Sequence, residues 1–188
     1  INYSQTWHFD EQLVNEGEGR NIGVDLTLER QFSNNYYLVF TSSLFDATYE
    51  TAEGETFDSR YNKNYVFNLL GGKEFVLGDS RNRLLGLNAR FTLNGGTRTV
   101  PVLQAESRER QEVVLDWSRP FEDQRPAEFI ADLSVTYRIN KQNHASEWAL
   151  QVKNMLGVPS FVEQRYNYID ERVEPYEVSI IMPSISYR

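Results

Sequence analysis

The feature that most constrains this chain is a strict alternation of apolar and polar residues, which is clearest in GLNARFTLNGG at residues 86–96. A period of two residues predicts a β-strand with one apolar face, and here Leu87 and Phe91 lie opposite Asn88 and Arg90. In a soluble sandwich or barrel, the apolar face fills a core. In a membrane barrel it contacts lipid, while the polar face lines a lumen. The alternation alone leaves both arrangements open.

The same alternation recurs along the chain. We count seven strands after residue 19, and an eighth if residues 1–13 contain one. The predicted strands are about 10 to 15 residues long. Strands of soluble proteins usually have about 5 or 6 residues, whereas a tilted membrane-spanning strand needs about 9 to 11. Strand length therefore favours a membrane barrel.

The connections between the predicted strands alternate in length. Short turns are expected at residues 33–35, 78–82 and 141–144, and long, polar, charged connections at 51–62, 99–126 and 158–178. Loops of more than about 20 residues are uncommon in compact soluble domains. Outer-membrane barrels combine short periplasmic turns with long extracellular loops. We interpret the charged stretch at 104–126 as a solvated extracellular loop, with binding of a ligand or partner as the alternative.

Aromatic residues make up 13% of the chain, which favours strands over helices. Several lie near predicted strand ends, as the interfacial girdles of a membrane barrel require. These are Tyr36, Tyr37, Tyr49, Tyr65, Phe75, Tyr137, Trp148 and Tyr187.

Composition and spacing exclude several other classes of protein. A net charge of −8 argues against nucleic-acid binding, and the absence of cysteine excludes thiol chemistry. No apolar run approaches the roughly 20 residues of a spanning helix, and the mean hydropathy is −0.56. The only histidines, His8 and His144, show no metal-ligand spacing, and adjacent turn residues such as His144 and Ser146 rarely form a catalytic pair.

The glycine pairs at 71–72 and 95–96 are followed by no predicted helix. They are therefore not phosphate loops, and we interpret them as positions that relieve crowding or mark bulges. We predict no enzyme activity and no cofactor.

The chain resembles the C-terminal part of the β-barrel of TonB-dependent outer-membrane receptors, of the carboxypeptidase-regulatory-like type found in Bacteroidota. The resemblance begins with NEGEGRNIGVDLTLER, YYLVFTSSLFDATYE, NYVFNLLGGKEF and LGLNARFTLNGGTRTVP. It continues in the same order with EFIADLSVTYRINKQNHASEWALQVKNMLG and MPSISYR. It covers nearly all of the chain from Val14 onward, and the ordered run of motifs is more specific than any one of them.

The resemblance implies an all-β fold, namely a segment of an antiparallel transmembrane β-barrel with about seven to eight meandering strands, short periplasmic turns and long extracellular loops. It implies a single domain over residues 1–188 in the outer membrane of a Gram-negative bacterium, as part of a transporter for a scarce nutrient. The expected partners are outer-membrane lipid, a plug domain and the TonB energy-coupling system, and some members of the family also work with a surface lipoprotein. Siderophores, cobalamin, oligosaccharides and peptides are all family substrates, so the nutrient stays open.

The plug and the energy-coupling segment have no counterpart in this chain, and the family normally ends on an aromatic residue a little beyond the position of Arg188. Because such transporters close with about 22 strands, we expect roughly the last third of a barrel. Strands 20–32 and 179–188 should then both be sheet edges, with no ladder between them.

The resemblance also assigns roles to the two faces. Polar lining and plug contact are expected from Asp25, Thr27, Asn88, Arg90, Asp132, Thr136, Arg138 and Lys153. Lipid contact is expected from Leu87, Phe91, Leu133 and Leu150.

Two alternatives remain. A complete eight-stranded outer-membrane barrel with a structural or adhesion role fits the strand count. A soluble, lipocalin-like binding barrel would instead need an interior lined by the leucines and a charged exterior.

Overall fold

The structure, a computed structural model, describes residues 16–78 and 82–188, and it is dominated by antiparallel strands. The elements in chain order are β1 (Glu18–Ser33), β2 (Tyr36–Glu50), β3 (Thr56–Asp58), β4 (Tyr65–Leu77), β5 (Arg83–Asn94), β6 (Arg98–Thr99), α1 (Gln104–Arg110), β7 (Asp123–Gln124), β8 (Glu128–Asn140), β9 (Ala145–Lys153), β10 (Ser160–Asn167), β11 (Arg172–Val178) and β12 (Met182–Tyr187). The predicted all-β, antiparallel class is confirmed.

Seven strands form one meander in the order β1-β2-β4-β5-β8-β9-β12, and the short β3 pairs with the loop end of β2. This matches the seven strands counted from the sequence. The suggested strand at residues 1–13 lies outside the described residues.

The register of the meander mostly pairs polar residues with polar residues, and apolar with apolar, across β5 and β8. Arg90 pairs with Asp132 across β5 and β8, and its neighbour Ala89 pairs with Leu133. Because directly paired residues project to the same side of a sheet, most polar positions of successive strands form one face and most apolar positions form the other. Leu70, which pairs with Arg90, is an exception.

Short turns connect one end of the strands, as the sequence predicts. Asn34 and Asn35 have φ values of 53° and 65°, which fit the two-residue hairpin turn that asparagine tolerates. A second turn separates Asn140 from Ala145. The third predicted turn, at 78–82, lies partly outside the described residues.

The sheet is open. β1 pairs only with β2, and β12 pairs only with β9, so no ladder joins the first and last described strands and they close no barrel. The prediction that both are edges is confirmed, although β1 is longer than predicted and β12 begins at Met182. β1 presents an unpaired edge over 16 residues, and all of them are exposed.

The long connections at the other end contain ordered structure, which the sequence did not predict. Residues 98–124 include β6, α1 and β7, and residues 160–178 form the hairpin β10–β11. We refer to the connections at 51–64, 95–127 and 154–181 together as the loop layer. Within the described residues, no helix has the length and apolar character of a membrane span.

The buried side chains lie mostly in the loop layer. Among the described residues they are Asn62, Val100, Pro101, Ser107, Pro120, Phe121, Tyr166 and Val173, whereas the sheet contributes Ala131 and Asp132.

The glycine pair at 95–96 explains how segments of the loop layer pack against one another. A Cβ atom on Gly95 would lie 1.7 Å from the Lys63 carbonyl oxygen, and one on Gly96 would lie 1.6 Å from the Arg125 carbonyl oxygen. Only glycine permits these approaches of backbone to backbone. The interpretation of this pair as a relief of crowding is confirmed.

Candidate functional site

All eight residues assigned to a polar lining lie on the same face of the sheet, which we call the polar face. Asp25 and Thr27 pair with Ser43 and Thr41 across β1 and β2. The pairings between the other strands, together with alternation along each strand, place the remaining six residues on that face as well. The alternation pattern therefore placed every one of them on one side.

The centre of the polar face is an ion pair between β5 and β8. Arg90 Nε donates to Asp132 Oδ2 at 2.9 Å, and Arg90 Nη2 also pairs with that oxygen. The other carboxylate oxygen, Oδ1, accepts the backbone N–H of Asn154 at 2.8 Å. Asp132 is 7% exposed, whereas the Arg90 side chain is 54% exposed, so the guanidinium carries the charge toward solvent. Lys153 adds a second favourable charge near Asp132.

Asn154 connects this ion pair to the loop layer. Its side chain donates to the carbonyl oxygens of Val158 at 2.9 Å and Ile180 at 3.2 Å, and it accepts the Val158 N–H at 3.0 Å. Asp132 thus fixes the point where the chain leaves β9 and the point where it returns to β12. Sequence reasoning missed Asn154, although an asparagine with φ of 49° directly after a strand is a turn signal.

Hydrogen bonds between neutral side chains extend the polar face across neighbouring strands. Asn68 donates to Thr41 Oγ1 at 3.2 Å and accepts from Thr92 Oγ1 at 2.8 Å, which joins β2, β4 and β5. Ser43 donates to Asp25 on the edge strand β1. Side-chain hydrogen bonds therefore connect neighbouring strands on the polar face.

Tyr37 and Tyr49 are corrections to the predicted girdle, because alternation along β2 places both on the polar face. The Tyr37 hydroxyl donates there to Asn88 Oδ1 at 3.0 Å. The ring passes over Gly72, since a Cβ there would lie 2.5 Å from Tyr37 Cε1. The sequence contains a signal for this position of Tyr37: it lies four residues before Thr41 on the same strand, so the two side chains project to the same face.

The eight residues do not converge on a compact pocket. Arg90, Asp132 and Lys153 lie together, and Arg138 Nε donates to Asn140 Oδ1 at 2.9 Å near the turn end. Asp25 and Thr27 are three strands from Arg90 in the order of the sheet. The arrangement is a polar wall.

The opposite face, the apolar face, is solvent-exposed in the isolated chain. Leu87, Phe91, Leu133 and Leu150 are 37–43% exposed, which confirms that no core covers them. Exposure is higher toward the edges, with Val24 at 72% and Ile185 at 74%.

Two groups of aromatic residues border the apolar face. Near the turn end, Tyr137 pairs with Trp148, and the Trp148 and Tyr187 ring centroids are 4.6 Å apart. Tyr36 and Phe75 lie on the same face at this end of β2 and β4.

Near the loop end, Phe91 and Phe129 stack with centroids 6.1 Å apart, and Tyr65 stacks on Phe67 at 5.5 Å. Leucines and other aliphatic side chains occupy the band between the two groups.

The loop layer is held by polar contacts between its segments. Gln104 on α1 donates from Nε2 to the Val173 carbonyl at 3.1 Å and accepts the Val173 N–H at 3.0 Å. Arg125 pairs with Glu177 and lies 4.7 Å from the centre of the Phe161 ring. Part of the charged stretch at 104–126 therefore holds the hairpin β10–β11.

The hairpin carries a shallow cavity of about 360 Å³ near its tip, lined by residues that include Tyr168, Glu174 and Tyr176. Asn167 and Arg172 both donate to Glu174, and these hydrogen bonds hold the pKa of that carboxyl below its usual value. Similarly, Ser118 and Arg119 lower the pKa of Asp116.

Among the described residues, no three histidine, aspartate or glutamate side chains are grouped so that they could hold a metal ion. His144 lies in the turn after β8, where its carbonyl accepts the Lys141 N–H at 2.8 Å. The Ser146 hydroxyl lies 3.3 Å from that of Tyr187.

No family model, no curated protein and no solved structure matches this chain, so the resemblance to TonB-dependent receptors stays a prediction.

Proposed function

We propose that this chain forms a stretch of the wall of an outer-membrane β-barrel transporter for active uptake of a nutrient. The polar face would line the passage and contact a plug domain, and the apolar face would contact lipid. The observation that carries the proposal is the contrast between the two faces of one continuous sheet. One face is joined by hydrogen bonds and an ion pair, and the other exposes leucine, isoleucine and phenylalanine without cover.

An uncovered apolar face of this extent is a liability in water. Monomeric soluble proteins rarely expose contiguous apolar patches larger than a few hundred Å². Here the exposed apolar residues continue across strands from Val24 on β1 to Ile185 on β12. A lipid environment removes the cost of that exposure, whereas a soluble, lipocalin-like barrel would bury these side chains inside.

The aromatic groups fit the thickness of a membrane. Phe129 and Tyr137 on β8 are eight residues apart, which corresponds to about 27 Å of extended strand. A strand tilt of about 40° reduces the height between them to about 20 Å. The lipid-facing band of outer-membrane barrels is about 25 Å tall and is bordered by aromatic girdles at both interfaces.

The open edges support a larger barrel. In hydrocarbon, each unpaired backbone N–H or C=O costs several kcal/mol, so β1 and β12 need partner strands. A barrel made of these seven strands alone would pair β1 with β12, and no such ladder forms among residues 16–78 and 82–188. We infer that the wall continues through further strands of a transporter with about 22 strands. A barrel closed by the seven described strands alone is not supported, and the alternative of an eight-stranded barrel with a structural or adhesion role depends on residues outside the described ranges.

The experiment uses the fact that these 188 residues contain no cysteine. Single variants Leu133→Cys and Ser134→Cys place a thiol on adjacent residues of β8 that face opposite sides. They are introduced into the full-length polypeptide, expressed in the outer membrane of a Gram-negative host after replacement of any cysteine elsewhere. Labelling with a membrane-impermeant maleimide is then compared with labelling by a lipophilic one.

We expect the impermeant reagent to label Ser134→Cys much faster than Leu133→Cys, and the lipophilic reagent to reverse that order. Equal labelling of both by the impermeant reagent would contradict the assignment of faces. Recovery of the wild-type protein as a monodisperse species in detergent-free buffer would contradict the membrane location itself.

A further inference from the structure

Three basic side chains lie on the apolar face near the turn end, and a polar wall explains none of them. Arg83 begins β5, where it pairs with Leu77 and Ile139, and the other two lie near each other on β1 and β4. Arg30 on β1 pairs in register with Leu38, and Lys73 on β4 pairs with Tyr36. Both therefore lie on the apolar face, although every predicted lining residue lies on the other. A charge on a lipid-facing surface is costly unless it reaches the interface and finds a partner.

Arg30 and Lys73 each lie over an aromatic ring of the turn-end group. The Arg30 guanidinium carbon is 4.2 Å from the centre of the Tyr36 ring, and Lys73 Nζ is 5.2 Å from the centre of the Phe75 ring. Because β1, β2 and β4 are adjacent, Arg30 and Lys73 flank Tyr36, with backbones about 10 Å apart. The four side chains form one patch, which we call the cation–aromatic patch.

The patch forms no ion pair in the part of the chain that the structure describes. The nearest acidic residues along the strands of its two cations, Glu29 and Glu74, are each one residue away and therefore project from the opposite face. Asp46 and Glu50 lie on the same side of the sheet as the two cations but at the loop end. Two exposed cations at the turn-end aromatic group are therefore complementary to an anion outside the chain.

We propose that the cation–aromatic patch binds the phosphate of a phospholipid headgroup at the turn-end interface of the bilayer. The aromatic rings contact the glycerol and upper acyl region, and the exposed Leu38 beside Arg30 continues that contact toward the bilayer centre. The proposal rests on the proposed membrane location, since it requires the apolar face to meet lipid.

The test measures lipid retention by native mass spectrometry on the full-length protein, purified in detergent from the outer membrane. Phosphatidylglycerol is added to the wild type and to the double variant Arg30→Gln/Lys73→Gln. The matched control Arg20→Gln/Lys141→Gln removes the same charge: Arg20 lies on the same strand and face but at the loop end, and Lys141 lies in the turn after β8. Diacylglycerol with the same acyl chains, which lacks phosphate, and inorganic phosphate are the comparison ligands.

We expect the wild type and the control variant to retain phosphatidylglycerol in preference to diacylglycerol, and Arg30→Gln/Lys73→Gln to lose about tenfold in apparent affinity. Equal retention by the double variant and the wild type would overturn the proposal. Displacement of the lipid by inorganic phosphate at comparable concentration would overturn the assignment to lipid.

Heat-modifiable migration and recovery in the outer-membrane fraction are measured on the same samples. A wild type that assembles in the membrane but shows no phosphate-dependent retention overturns only the lipid site. A wild type that is absent from the membrane overturns the proposed function as well.

Discussion

The sheet and the loop layer are stabilised in different ways. The sheet buries almost nothing, with Ala131 and Asp132 as its buried side chains apart from glycine, and it is held by ladders of backbone hydrogen bonds. The loop layer buries apolar side chains of its own, among them Phe121, Tyr166 and Val173. The difference indicates that the loop layer supplies its own apolar environment, whereas the sheet depends on an apolar environment supplied from outside.

The loop layer also carries the closest backbone packing, at Gly95 and Gly96, and buried polar contacts. Asn62 is fully buried and donates to Asp46 and Asp58. If the sheet lies in a membrane as proposed, substitutions in the sheet should affect membrane assembly. Substitutions in the loop layer should affect the packing of that layer.

With the proposed membrane location, the largest effect is expected on the apolar face of the sheet. Leu133→Arg places a charge on the apolar face near the middle of β8, at a cost of about 2–4 kcal/mol, and should reduce the amount of assembled protein in the outer membrane. Thr136→Arg is the matched control, because it adds the same charge on the polar face of the same strand and should be tolerated. Equal assembly of the two variants would contradict the assignment of faces.

A somewhat smaller effect is expected in the loop layer. Gly96→Ala forces a methyl group against the Arg125 carbonyl and should destabilise the layer by about 1–3 kcal/mol. We expect faster proteolysis of residues 95–127 with little change in membrane assembly. Gly19→Ala is the control, since no atom lies within 4 Å of its added Cβ. Equal protease sensitivity of both variants would show that the close approach of Gly96 to the Arg125 carbonyl does not determine the stability of the loop layer.

The junction of the two regions should respond more weakly. Asp132→Asn removes the charge that pairs with Arg90 while preserving an acceptor for the Asn154 N–H. Because Arg90 is half exposed, we expect a loss of about 1 kcal/mol, measured as faster hydrogen exchange at the Asn154 amide. Arg138→Gln, which removes an exposed contact with Asn140, should leave that exchange unchanged. Unchanged exchange in Asp132→Asn would mean that the ion pair does not support the junction.

The smallest effect concerns acid sensitivity of the hairpin β10–β11. The pKa of Glu174 is lower in the folded chain than its ordinary value of 4.5, because Asn167 and Arg172 donate to the ionised form. The contribution of ionised Glu174 to the stability of the hairpin is therefore fully present above pH 4.5, and it is lost as the pH falls through the pKa of Glu174 in the folded chain. We expect proteolysis at the hairpin tip to increase over this range. Glu174→Gln should remove that part of the pH dependence, and a variant that retains it fully would contradict the assignment.

Local patterns were sufficient to predict several features of the sheet. Alternation along β5 and β8 assigned Arg90 and Asp132 to one face and Leu87 and Leu133 to the other, because side chains of an extended chain alternate regardless of what covers them. The asparagines at 34 and 35 marked a hairpin turn for an equally local reason, since they tolerate positive φ.

The loop layer and the exact partners on the polar face were beyond such reasoning. The sequence of residues 99–126 has no regular period, and its order comes from contacts such as Gln104 with Val173, which are 69 residues apart. Tyr37 was assigned to a girdle from its position near a strand end, yet Asn88 on a strand that is not its neighbour accepts its hydroxyl.

By itself, then, the sequence determined the seven strands of the meander, two of the short turns between them and the two faces of the sheet. Each follows from conformational preferences of residues next to one another. The tertiary structure decided the register that pairs Arg90 with Asp132, the open edges at β1 and β12, and the junction at Asn154. These depend on which distant segments come together, and a one-residue shift between strands would move a paired side chain to the opposite face.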